Sequence, residues 1–131
     1  MPDPILQPGK DPGEWDAFRV VNPSVVSDGS TYHMLYAGTR IEGSQEIGKI
    51  GYAFSNDGIH WTKHRDNPVI ETPDEYAVAA PMIFDGSTFF AWYAHGLIPG
   101  VISHAWSDCC AGIFGDDFET GDTSLWSVTL P

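Results

Sequence analysis

Asn22–Gly38 reads NPSVVSDGSTYHMLYAG, and Ala80–Gly96 reads APMIFDGSTFFAWYAHG. Each stretch has a proline, a short apolar run, Asp-Gly-Ser-Thr, and an aromatic run that reaches Tyr-Ala. The likeness extends outward. Pro4–Leu6 (PIL) returns as Pro68–Ile70 (PVI), Glu14-Trp15 as Glu75-Tyr76, and Ile50–Asp57 (IGYAFSND) as Ile102–Asp108 (ISHAWSD). A unit of about 57–64 residues is therefore written twice, and such a period marks a repeat architecture.

Within each unit the pattern is that of strands. Tyr32, Met34 and Tyr36 alternate against His33, Leu35 and Ala37, the two-residue period of a sheet with aromatic enrichment. Asp28-Gly29 and Asp85-Gly86 are hairpin signals, because glycine takes positive φ without strain. Unit one predicts strands over 20–27, 31–39, 49–55 and 60–64. Unit two predicts 81–84, 88–95 and 101–107, with DTSLWSV near Trp126 as the candidate fourth. No sustained 3.6-residue stripe exists, so helix content is expected to be low. The fold class is all-β: two four-stranded antiparallel propeller blades. The expected divisions are 1–67 for the first blade, 68–112 for the second, and 113–131 for a tail. The tail is read either as an outer strand of blade two or as the start of a truncated jelly-roll segment.

The 131 residues suffice for one modest core. Apolar residues make up 42%, which argues against a disordered chain, and the 14 glycines and 10 prolines imply many turns. A net charge of −12 argues against nucleic acid, whose phosphates it would repel, and is compatible with neutral sugars or cations. No stretch is long and apolar enough for a membrane span, and the N-terminus lacks the pattern of a signal peptide. Cys109 and Cys110 are adjacent, a spacing unsuited to a mutual disulfide, and are read as free thiols.

EWDAFRVVNPSVVSDGSTYHMLYAG, followed by IGYAFSNDGIHWTKHRDNPVI, resembles the five-bladed β-propeller glycosidase superfamily that includes glycoside hydrolase families 43, 32 and 130. The blade string stands here as Ala53–Lys63 (AFSNDGIHWTK) and Asn67-Pro68-Val69, and the resemblance covers residues 1 to about 108. The tail, 116–131, is similar to a short segment of secreted bacterial carbohydrate-active proteins. The resemblance implies a bacterial protein, secreted or cytoplasmic. It also implies five blades where the repeat supplies two, so the expected remedy is a ring completed by homo-oligomerisation. A trimer is favoured and a dimer comes next.

In the resembled enzymes, acids at the starts of the innermost strands flank the glycosidic bond. That implies Asp16 and Glu75 as the catalytic candidates. Asn22 stands where the family often has an aspartate, and Ala77 and Ala80 hold the equivalent places in unit two, so the acid set is incomplete. Trp15 and Tyr76 are candidates to stack on a sugar ring, with Asn22, Arg40 and His95 as further ligand contacts. His95, in the place of Gly38, is expected to overlook the funnel, and its copies in a ring offer imidazoles suited to zinc. With no bulge between their strands, His95 and His104 fall on opposite sheet faces. His33, His60 and His64 read as surface or packing residues. Asp116, Asp117, Glu119 and Asp122 are oxygen donors for calcium, with a solvated acidic turn as the other reading. Three functions stand open: a hydrolase with a glycosidase-like funnel, a non-catalytic glycan-binding module, and a metal-assisted hydrolase of ester or phosphoester substrates.

Overall fold

The computed structural model describes residues 3–72, 76–96, 100–108 and 127–129, and these contain strands and turns but no helix. Strands β1 (Arg19–Ser27), β2 (Tyr32–Glu42), β3 (Gln45–Ser55) and β4 (Thr62–Lys63) form one antiparallel sheet in that order. The second sheet contains β5 (Ala77–Ala79), β6 (Met82–Phe84), β7 (Thr88–His95), β8 (Val101–Asp108) and β9 (Ser127–Thr129). Both β5 and β6 pair with β7, which is followed by β8 and β9. The fold is thus two all-β, antiparallel propeller blades. The short strand at 127–129 is the fourth of the second blade.

The repeated Asp-Gly-Ser-Thr folds the same way twice. Asp28 Oδ1 accepts the amides of Ser30 at 2.8 Å and Thr31 at 2.9 Å, and Asp85 Oδ1 accepts those of Ser87 at 2.9 Å and Thr88 at 2.8 Å. Gly29 and Gly86 supply the positive φ, 101° and 106°. An aspartate that bonds backbone amides two and three residues on builds a tight turn, and glycine makes the left-handed step at no steric cost.

The inner strands depart from the sequence expectation. The strand expected at 81–84 is present as 82–84, and a further short strand not expected, 77–79, precedes it across Ala80-Pro81. Pro81 has no N–H for the ladder, and its carbonyl instead accepts the amide of Trp92 at 3.1 Å. In β1 the same feature is a bulge. The register against β2 slips between Val21 and Ser24, around Asn22-Pro23, and Asn22 has φ 53°. Both inner strands therefore bend at the same proline of the repeat.

The principal core lies between the sheets. Leu35, Ala37, Ile50 and Tyr52 from sheet one meet Ala77, Met82, Phe89, Ala91 and Tyr93 from sheet two. On the opposite face of sheet one, Met34, Tyr36 and Ala53 are covered by Leu6, Trp15, Val20 and Trp61. Trp15 fits there because Gly38 and Gly51 carry no side chain. A Cβ on Gly38 would stand 2.4 Å from Trp15 Cζ3, and one on Gly51 would stand 2.6 Å from Trp15 Cη2. Beyond β4, Asn67 satisfies the backbone of β3. Its Oδ1 accepts the amide of Tyr52 and its Nδ2 donates to the Tyr52 carbonyl, both at 2.9 Å.

Candidate functional site

The two inner strands lie side by side and are tied by side chains. Asn22 Nδ2 donates to the carbonyl of Val78 at 2.6 Å, and the amide of Met82 donates to Ser24 Oγ at 2.9 Å. At the end where β1 begins, Arg19 pairs with Glu46 at 2.7 Å, Arg40 with Glu42, and Tyr76 bridges to Gly48. Arg40 also donates to the Gly13 carbonyl at 3.2 Å. Arg19, Asn22 and Tyr76 are thus placed where the first blade meets β5, and the sequence named two of them, whereas Arg40 is tied to the N-terminal segment at Gly13. The Glu46 carboxyl is held below its ordinary range, chiefly by the hydrogen bond from Arg19.

Asp16 stands elsewhere. It precedes β1, yet its chain crosses the outward face of sheet one. Its Oδ2 accepts from Lys63 Nζ on the outermost strand at 2.6 Å, and its Oδ1 accepts from the Gly9 amide at 3.2 Å. The side chain is 3% exposed. Trp15, Asp16, Lys63, His64, Arg65 and Asn67 line a pocket of about 240 Å³ on this face. Trp15 is packed against Tyr36, with ring centroids 5.7 Å apart. Trp15 and Asp16 thus lie on the outward face of sheet one, whereas Asn22 is tied to Val78 of the second blade. Burial, followed by the nearby Asp16 charge, pushes the Tyr36 hydroxyl above its ordinary range.

His95 differs from its expectation of overlooking an open funnel. It is buried, its Nε2 lies 2.9 Å from Ser103 Oγ, and its ring stacks on Tyr93 at 5.4 Å. Its position follows from strand parity: residues 89, 91, 93 and 95 of β7 share the face turned toward sheet one. His104 pairs opposite Trp92 on the other face. In the single chain His95 is thus a packed side chain of the second blade, hydrogen-bonded to Ser103. Among the described residues no three His, Cys, Asp or Glu side chains converge on a metal position. Glu75, both cysteines and the tail acids considered for calcium lie outside the described residues.

The sequence did not foresee a buried network at the other end of the interblade core. His33 Nε2 lies 2.8 Å from Asp28 Oδ2, and its Nδ1 lies 2.8 Å from the Tyr52 hydroxyl. Its ring meets Phe89 of the second blade edge-on at 4.8 Å. His33 is thus a packing residue, but one with polar partners. Burial lowers its pKa, and Asp28 opposes that shift. Burial raises Asp28, but the bonds from His33 and the turn amides outweigh it and hold the carboxyl well below the usual range. The available signal was parity, since His33 alternates in step with Leu35 and Ala37. His60, by contrast, is an exposed residue 2.6 Å from Asp57.

No protein-family model matches the chain. It is 34% identical over 76 residues to a 1,2-beta-oligomannan phosphorylase of Thermoanaerobacter sp. (strain X514), a match covering 55% of this chain and 25% of that protein. A beta-1,2-mannobiose phosphorylase from the same organism is 34% identical over 93 residues, covering 61% and 30% respectively. An uncharacterized protein of Mycobacterium tuberculosis is 38% identical over 87 residues, covering 61% and 28%. The chain spans between a quarter and a third of the length of these curated relatives. Among solved structures, the Bombyx mori GH32 beta-fructofuranosidase BmSUC1 superposes with a TM-score of 0.59 at 20% identity, covering 81% of this chain and 21% of that one. A mutant of that enzyme in complex with sucrose gives 0.58. These likenesses agree with propeller blades as the fold.

Proposed function

We propose that this chain is a carbohydrate-handling pair of propeller blades that forms one side of a funnel in which a glycosidic bond is cleaved. The observation that carries this reading is the Asn22–Val78 tie between the inner strands. In this reading Arg19, Asn22 and Tyr76, which lie around that tie, offer donors and one aromatic face suited to sugar hydroxyls and a pyranose ring, with Arg40 as a further ligand contact. The names of the two phosphorylases support β-1,2-linked manno-oligosaccharides as the substrate class. In hydrolysis, water supplies the oxygen that joins the anomeric carbon, and in phosphorolysis inorganic phosphate does. In both cases the departing sugar oxygen takes a proton.

A second reading, glycan binding without turnover, is favoured by one observation. Neither β1 nor β5 and β6 carries an aspartate or glutamate, while glycoside hydrolysis uses two carboxyl groups and phosphorolysis still needs an acid for the departing oxygen. Cleavage in this funnel therefore draws at least one acid from outside the inner strands. Asp16 is the candidate within the chain, and Glu75 is the other named from sequence. The metal-assisted alternative has no comparable support at His95.

Incubation with β-1,2-mannobiose, with and without phosphate, tests these readings. A sugar 1-phosphate formed only with phosphate supports phosphorolysis, and free mannose in both supports hydrolysis. Calorimetric binding without either product supports the glycan-binding module. Absence of both binding and product at millimolar sugar overturns the carbohydrate reading.

A further inference from the structure

We infer that Glu46 and Arg19 together bind a vicinal pair of sugar hydroxyls where the junction between the two blades opens, and that Glu46 is a specificity-determining residue there, an assignment that rests on the carbohydrate reading. Glu46 lies on β3, outside the inner strands, and the sequence did not single it out. Arg19 Nε donates to Glu46 Oε1 at 2.7 Å. The Glu46 side chain is 23% exposed and that of Arg19 46%, so a ligand can reach both.

Strand parity places the pair. Arg19 pairs with Thr39 and Thr39 with Gly48, and Ile41 pairs with Glu46 one row further on. Thr39, Ile41, Glu46 and Gly48 continue the face of sheet one on which Leu35, Ala37, Ile50 and Tyr52 pack against the second blade. Gly48 lies at the edge of that packing. Tyr76 bridges to it, and a Cβ on Gly48 would stand 2.9 Å from the Ala77 carbonyl oxygen. The missing side chain therefore lets the start of the second blade close on β3. Past this bridge the same face emerges from the junction with Arg19, Glu46 and Ile41, which is 48% exposed. Tyr76 lies within electrostatic reach of the Arg19 guanidinium.

The chemistry of the pair selects its ligand. The bond between them engages one guanidinium nitrogen and one carboxylate oxygen, and both groups have further N–H donors and lone pairs to offer. Adjacent hydroxyls of a pyranose each donate and accept, so a carboxylate and a guanidinium held side by side satisfy both senses at once. A simple cation or anion would meet one half of the pair and be repelled by the other. Tyr76 and Ile41 add the apolar surface that a sugar ring covers. The hydrogen bond from Arg19 holds the Glu46 carboxyl below its ordinary range. Glu46 therefore stays an acceptor for sugar hydroxyls, and the proton for the departing oxygen comes from another acid.

Calorimetric titration of the 131-residue chain with β-1,2-mannobiose tests this. Glu46→Gln keeps the shape, removes the charge and should weaken binding by roughly tenfold or more. Arg19→Gln should do likewise, and the double variant should lose little more than either, because the two groups act on the same hydroxyls. Glu71→Gln, which breaks the exposed pair with Lys49, is the control and should bind as the wild type does. Exposed ion pairs add little stability, so circular dichroism and melting should be unchanged in every variant. Monodeoxy mannobioses identify direct contact: loss of a hydroxyl that Glu46 holds weakens binding to the wild type but not to Glu46→Gln. Wild-type binding that survives Glu46→Gln and Arg19→Gln overturns this assignment and leaves the carbohydrate reading standing, as does the absence of any such analogue. An equal loss in Glu71→Gln marks a general charge effect and overturns it too. A wild type that binds no sugar at millimolar concentration overturns both.

Discussion

Asn22 and Val78 are 56 positions apart, yet the Asn22 side-chain amide meets the Val78 carbonyl at 2.6 Å, joining the inner strands of two blades. Asn22 does so from φ 53°, a conformation asparagine tolerates better than most residues. Asn22→Ala loses the hydrogen bond and keeps the strained backbone, and should cost about 1–2 kcal/mol. Asn22→Gly loses the bond but relieves the backbone, and should cost less. Urea denaturation of the two variants checks the order, and equal losses would show that the backbone conformation contributes nothing.

The Trp15 seat makes Gly38 intolerant of a methyl group. A Cβ there would meet Trp15 Cζ3 at 2.4 Å and Asp16 Cβ at 2.5 Å. Gly38→Ala should therefore destabilise by about 1–3 kcal/mol through overpacking. Gly13→Ala, where a Cβ meets nothing within 4 Å, is the matched control and should be nearly neutral. Thermal melts of the two variants provide the comparison.

Asp16 and Lys63 test structure against chemistry. Lys63→Met leaves the enclosed Asp16 carboxylate without its ammonium partner, whereas Asp16→Asn leaves a partly exposed lysine that water can reach. Removing the partner of a buried charge is the costlier change, so Lys63→Met should unfold at lower denaturant than Asp16→Asn. Where the chain turns over a glycoside, Asp16→Asn should abolish most of that activity at an unchanged folded fraction. Full activity in Asp16→Asn would remove it from the mechanism.

Acid should weaken the interblade core in two steps. The folded pKa of His33 is lowered, so below its unfolded value of about 6.5 the unfolded chain binds a proton that the folded chain does not. Stability is then lost as pH falls from that value toward the folded one. The folded pKa of Asp28 is also lowered. Its contribution is present above the unfolded value of about 3.9 and is lost as pH falls toward the folded value. Unfolding free energy measured against pH should decline below about 6.5 and more steeply below about 4. His33→Phe, which places in blade one the residue that blade two carries as Phe90, should flatten the upper part of the curve and also shrink the lower, because the His33 bond is one of those that hold the Asp28 carboxyl low. An unchanged slope between about pH 5 and 6.5 in that variant would exclude His33 as its source.

The residues themselves determined the repeat, the all-β class, the Asp-Gly hairpins and the strand faces. Each of these follows from a local rule, whether a two-residue alternation, a glycine at positive φ or an aspartate bonding the amides beyond it. Parity also sufficed to put His95 and His104 on opposite faces. It did not reveal which face meets another blade, and that decided the role of each named group. His33 became the centre of a buried network because its face meets Phe89, and His95 was enclosed because its face meets the first blade. Asp16 was drawn to Lys63, 47 positions away, because Gly38 and Gly51 open a seat that carries residues 9–16 across the sheet. Such contacts depend on the packing of segments distant in sequence, where burial and charge pairing outweigh local preference.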